Sequence, residues 1–277
     1  QFSPKDFGNL PPAAMGGFDA ERFQALPPTA MRGFEADQFA ELAPGVVGKM
    51  DTKQFGKLPP AAFGGFQPDQ IGALPVEFMG QFSPKDFGNL PPAAMGGFRA
   101  GQLAGLAPKV VKSMDISQFG SLPNDAFAGF QQKQVSALRP KMFVGISAEQ
   151  FSQLSPDAIT GLKPGSVRKI SPTALEDLDS GQMSGFSPKA LKVMKKDQIS
   201  NLPSEALAGL TSTQAKKLTK GFVGELNEEQ IQAIPVESLD SMKKKIIGFI
   251  EDDLSPEQDS QFASILGQSA DQISNIF

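Results

Sequence analysis

The chain has 277 residues, a formal net charge of -4, and no Cys, His, Trp or Tyr against 23 Phe, 28 Gly and 23 Pro. Zero Cys excludes disulfides, zinc–thiolate sites, iron–sulfur clusters and Cys nucleophiles, and zero His removes the usual general base near neutral pH. The mildly acidic balance argues against nucleic acid, which calls for a basic stripe, and no apolar run approaches the ~18 residues of a membrane span. The chain begins at Gln1 with no signal peptide in view, and the first octad starts in mid-pattern. That reads as a processed chain or a piece of a longer one.

Repeats organise the rest. Residues 1–18, QFSPKDFGNLPPAAMGGF, return letter for letter at 81–98, and 46–66 return in altered form at 110–130. Both shifts are whole multiples of two octads. The octad itself is the shorter period beneath. Steps of eight from Phe2 meet Leu10, Phe18, Leu26, Phe34, Leu42, Met50, Leu58 and Phe66, pass Phe130 and end at Ile250. Steps from Phe7 meet Met15, Phe23, Met31, Phe39, Val47, Phe55 and Phe63, pass Phe119, Phe127 and Phe151, and end at Ile247. No insertion breaks either column, so these residues are the expected core.

Taken in chain order, each octad predicts one short helix. Ser3 is the first N-cap, its hydroxyl placed to accept a free amide hydrogen, and Pro4 follows at the first helical position, where a missing N–H costs nothing. Asp51 falls at a cap position as well. At Ser147 the grammar is complete: Gln150 reaches back to the cap as a capping box, and Ile146 and Phe151 form the hydrophobic staple. Ser155, Ser171 and Ser187 repeat the cap-then-proline order. Glycines cluster where each helix must end, at Gly16-Gly17, Gly64-Gly65, Gly96-Gly97, Gly129, Gly161 and Gly209, and are expected to supply a left-handed stop. A β-solenoid rung is rejected, because period-two alternation is absent and Pro in so many units would damage a sheet ladder.

Alternate octads differ. Gln38, Gln54, Gln70, Gln102, Gln118, Gln134 and Gln150 occupy one phase, and Ala14, Ala30, Ala62, Ala94, Ala126 and Ala158 the other. The repeat is therefore a pair of octads, two unlike mini-helices expected to make one coil, with Ala permitting close approach and Gln satisfying a local amide. Helices of about five residues do not stand alone in water, so stacking must hold them. The reading is an all-α solenoid over residues 1–250, an elongated rod of about 15 coils and ~120–150 Å at a helix-packing spacing of ~8–10 Å. After Ile250 the frame breaks, and 251–277 reads as a C-terminal helical cap.

Other chemistry is weak. Asp19, Glu35, Asp115 and Asp179 fall at cap positions. Asp6 and Asp86 are copies in duplicated units rather than a catalytic pair. Glu251, Asp252 and Asp253 lack calcium-loop spacing, no Gly run leads into Lys-Ser or Lys-Thr, and Lys243 to Lys245 read as a solvated face. No catalytic residue, metal ligand or cofactor site is predicted.

The units LPPAAMGGFDAERFQAL, LPPTAMRGFEADQFAEL and ISAEQFSQLSPDAITGL resemble tandem octapeptide short-helix repeats, of the style LTPEQ(I/V)xAL, in large surface or secreted proteins of marine cyanobacteria and other bacteria. The resemblance spans nearly the whole frame from Phe2 to Ile250. It implies an extracellular or cell-surface setting and carries no catalytic residues. The expected function is non-catalytic: a stiff spacer, stalk or surface-filament subunit. The alternative is a binding module that presents one solenoid face to a protein or glycan. An uncapped first coil leaves end-to-end self-association open.

Overall fold

A computed structural model describes residues 3–242 together with Ser255 and Pro256. The expected C-terminal cap over 251–277, Lys243 to Lys245 and the first apolar stop, Phe2, lie outside the described residues, apart from that Ser-Pro pair. Every regular element among the described residues is a short helix. The fold class is that of an all-α solenoid of mini-helices. The chain packs as two compact units, Gln1–Met142 and Phe143–Phe277.

Local chemistry explains each mini-helix. The helix Pro4–Gly8 starts at Ser3, which sits in extended backbone and accepts from the Asp6 amide, while the Asp6 carboxylate accepts from the Ser3 amide. Pro4 fills the first helical position. The next helix, Pro12–Gly17, has Pro11 as its cap and no side-chain acceptor. Its first bond runs from the Ala14 N–H to the Pro11 carbonyl at 2.9 Å, the tighter 3₁₀ pattern. Pro28–Gly33, Pro60–Gly65 and Pro92–Gly97 repeat it. The two octad phases thus differ in helix type through much of the first unit.

In the first unit, Ala36–Ala40 packs on Pro12–Gly17 and Pro60–Gly65, and Ala100–Gly105 packs on Val76–Gln81 and Asn124–Gly129. In the second, Ser180–Gly185 packs on Pro156–Thr160 and Ser204–Leu207. Each of these partners lies three octads away. Side-chain bonds described below reach almost four octads back. One coil therefore takes between three and four octads, not the two that the paired repeat implied. The alternation has a consequence for packing. Three is odd, so each of these Gln-phase helices packs on Ala-phase helices. The two phases do face different neighbours.

The apolar columns point inward. In the first unit Phe7, Met15, Phe23, Phe34, Phe39, Phe55, Leu58, Phe63, Phe66, Phe119, Phe127 and Phe130 are buried. Rings meet between coils, as in Phe7–Phe34 at 5.3 Å and Phe39–Phe66 at 4.3 Å between centroids. Leu10, Phe18 and Leu26 are only half-buried, and no earlier coil is among the described residues. In the second unit Phe151 is buried, with Phe186 6.4 Å away, and Leu, Ile and Met fill most of the remaining column.

The glycines act otherwise than expected. Helices end in right-handed backbone at Asn9, φ -90°, Gly56, φ -69°, and Gly161, φ -76°, and in extended backbone at Phe18, Phe66, Phe98 and Phe130. No described glycine among Gly16, Gly17, Gly64, Gly65, Gly96, Gly97, Gly129 and Gly209 needs a left-handed conformation. The hydrogen bond from each cap N–H to a carbonyl of the last turn already closes the helix. Their role at Gly65, Gly97, Gly129 and Gly209 is close approach. A Cβ at Gly97 would overlap the Pro68 carbonyl of the preceding coil, and Gly65, Gly129 and Gly209 sit in the same way on Ala36, Ala100 and Ser180. Where coil touches coil through backbone, only hydrogen fits.

Candidate functional site

The most regular polar feature is internal. Each Gln of the first phase is buried, and most use both ends of the amide. Gln38 accepts the Glu35 N–H on Oε1 at 3.0 Å, closing the local box. Its Nε2 donates to the carbonyls of Phe7 at 2.8 Å and Leu10 at 2.7 Å. These acceptors lie 31 and 28 residues earlier. Gln70 repeats the pair on Phe39 and Leu42, Gln102 on Ile71 and Leu74, Gln118 on Phe87 and Leu90, and Gln134 on Leu103 and Leu106. Gln54 donates to Phe23 and Leu26 at 3.2 and 2.9 Å.

The second unit continues the ladder by itself. Gln182 donates to Phe151 and Leu154, Gln198 to Val167 and Ile170, Gln214 to Met183 and Phe186, and Gln230 to Ile199 and Leu202. One acceptor of each pair, such as Phe7, lies in the last turn of a mini-helix, and the other, such as Leu10, lies between that helix and the next. A buried carbonyl without a donor costs about 1–3 kcal/mol, so each Gln supplies a donor to the Leu10-type carbonyl, adds a second one to the Phe7-type carbonyl, which already takes the Leu10 N–H at 3.0 Å, and accepts from a cap amide. Sequence reasoning found the local half of this bond set. It missed the reach to the earlier coil, because the acceptors are backbone and leave no residue-type signal.

The predicted caps fall as follows. Ser3 and Ser147 accept from the third helical amide, and their own backbone N–H groups donate back to the Asp6 carboxylate and to Gln150 Oε1. Asp51 does the same with Gln54. Ser155, Ser171 and Ser187 accept from Ala158, Ala174 and Ala190. Asp6 is held below the usual carboxylate range, first by its bond from the Ser3 hydroxyl and then by the Ser3 amide. Glu149 is lowered by the Ser147 hydroxyl and then by its own backbone amide. Both shifts arise from helix capping at exposed residues.

Surface features are sparse. An open groove of about 460 Å³ in the first unit is lined by Pro68, Gly72, Gly97, Arg99 and Asp125. A smaller one in the second unit, about 220 Å³, holds the Lys196–Glu225 ion pair at 2.8 Å. Among the described residues, no cluster of three His, Cys, Asp or Glu could hold a metal ion, and no helix is long and apolar enough to cross a membrane. The chain matches no protein-family model and no curated protein.

Proposed function

We propose that this protein is a non-catalytic structural element, a stiff extracellular or cell-surface spacer whose reach is set by its number of octads. The observation that carries the reading is the Gln ladder. Each rung ties a buried side chain to two carbonyls of the preceding coil, in both units and at constant separation. Inter-coil bonds of that regularity resist bending more than apolar contacts alone, because hydrogen bonds are directional and apolar burial is not. Lengthening such an element needs only duplication of whole octads, and the copies at 1–18 and 81–98 record one such event.

The absence of native Cys makes a direct test simple. Spin labels at Lys5→Cys and Lys133→Cys, both exposed and in the first unit, report the distance between its early and late coils. A stiff element gives one narrow distance, and an in-frame duplication of residues 49–80 lengthens it by about one coil, ~8–10 Å. A broad distribution, or no lengthening on duplication, overturns the spacer reading.

A further inference from the structure

One surface feature is not explained by the fold. Residues 163–220 carry ten Lys or Arg against five Asp or Glu, whereas the chain as a whole has 26 against 30. The fold sorts this excess. The helices Pro164–Val167, Pro188–Leu191 and Ser212–Ala215 pack side by side in succession. The residue capping the C-terminus of each is Arg168, Lys192 and Lys216. All three are exposed, and none forms an ion pair among the described residues. Lys169 and Lys217 follow two of them in the same loops and are exposed as well. Three octads of sequence separate each of the three cations from the next, so they do not read as a cluster until the coils stack.

Helix geometry does not demand them. Cations complement a helix C-terminus, but the same cap position in the first unit is held by Asn9, Ala25, Glu41, Gly48, Gly56, Asn89 and Ser121, with Lys112 the exception. The stripe belongs to one stretch of the second unit and not to the repeat.

We propose that Arg168, Lys192 and Lys216 form a docking stripe for an acidic polysaccharide whose carboxylates are separated by neutral sugars. The spacing argues for this class. Packed helices stand ~8–10 Å apart, so the three capping cations recur at roughly that interval, with Lys169 and Lys217 beside two of them. Phosphates along one strand of B-form DNA recur every ~3.4 Å of axis and would mostly go unmatched. Base stacking is also denied: the chain has no Tyr or Trp, and Phe186, in the same stretch, is buried. Lysine is a point charge without fork geometry, suited to carboxylates presented at varied angles.

The test uses the full chain and fluorescently labelled hyaluronan oligosaccharides, which carry one carboxylate per disaccharide, with labelled duplex DNA as the second probe. Binding is read by anisotropy across a salt series. The expected result is hyaluronan binding at low salt that weakens as salt rises. K192Q/K216Q weakens it about tenfold, the summed effect of two exposed charge pairs. K53Q/K57Q, exposed in the other unit, leaves it unchanged. An unaltered thermal melt of both variants shows that the fold is intact. The proposal is overturned by no binding at low salt, by a stripe variant that binds as the unmodified chain does, or by DNA binding more tightly than hyaluronan.

Discussion

Residues 3–18 and 83–98 have the same sequence and different surroundings. Their local structures coincide. Ser3 and Ser83 cap with φ -86° in both and ψ 161° and 160°, the helices Pro4–Gly8 and Pro84–Gly88 have equal length, and Pro12–Gly17 matches Pro92–Gly97. Phe7 and Phe87 are buried alike, as are Met15 and Met95. Everything that depends on an earlier coil differs. Leu10 and Phe18 are half-buried and Ala14 is exposed, while Leu90, Ala94 and Phe98 are buried. Gly17 has open space where a Cβ would stand, and Gly97 rests on Pro68. The Asn89 side chain donates to the Pro60 carbonyl of the preceding coil at 2.8 Å, and the matching position does not exist for Asn9 in this chain. The octad encodes its helix by itself, and only the neighbouring coil encodes its burial.

Substitutions made in matched pairs turn that difference into a measurement. The largest effect is expected at the ring. Phe98 is 1% exposed, so Phe98→Ala removes a full side chain's burial and leaves a cavity, costing about 3–5 kcal/mol. Phe18→Ala removes a ring that is partly exposed and costs less, since the transfer term scales with the apolar area removed from solvent. Urea denaturation of the two variants measures the gap. Equal losses would mean that the first coil is covered in solution.

The glycine pair follows. Gly97→Ala puts a methyl group into the Pro68 backbone, which cannot swing aside as a side chain does. Overpacking of this kind costs about 1–3 kcal/mol. Gly17→Ala meets nothing within 4 Å and is expected to be neutral or slightly stabilising, through reduced freedom of the unfolded chain. The melting temperatures of the pair, compared with the unmodified chain, decide it. If Gly97→Ala melts unchanged, the close approach of coils at this point is not needed.

These pairs also mark what could be read in the residues and what could not. Capping boxes, prolines at the first helical position and the apolar columns are local signals, complete within one octad, and the structure places them where they were expected. The alternation of octads was equally legible, since Gln and Ala differ in kind. Its meaning was not. A period counts the residues before the chain repeats its chemistry, whereas a coil counts the residues before the chain meets itself. Only packing geometry sets the second, and it falls between three and four octads. Gly97 was misread for the same reason: its neighbour is a carbonyl of the preceding coil, and a carbonyl has no letter. The basic stripe of Arg168, Lys192 and Lys216 stayed hidden because a spacing of three octads becomes adjacency only in three dimensions.

The smallest effect tests the ladder at a gap in the first unit. Asp86 stands where the spacing of alternate octads places a Gln, between Gln70 and Gln102. Its carboxylate accepts the Ser83 amide at 3.0 Å, so the capping half of the role survives. A carboxylate is an acceptor only and has nothing to donate to an earlier coil. By the ladder's separations of 31 and 28, the carbonyls that a Gln would reach are those of Phe55 and Leu58. Asp86→Gln supplies the amide, keeps the capping acceptor and adds two bonds of ~0.5–1.5 kcal/mol each, partly offset by ordering one longer side chain. A net gain of about 1 kcal/mol is expected, a rise of roughly 2–4 °C in melting temperature. Asp6→Gln changes the same residue in the same local sequence, but its rung would reach to positions before Gln1. It gains no inter-coil bond, and no rise is expected. If both variants melt alike, the long-range bonds of the ladder add nothing beyond the cap, and stiffness must come from the apolar column alone.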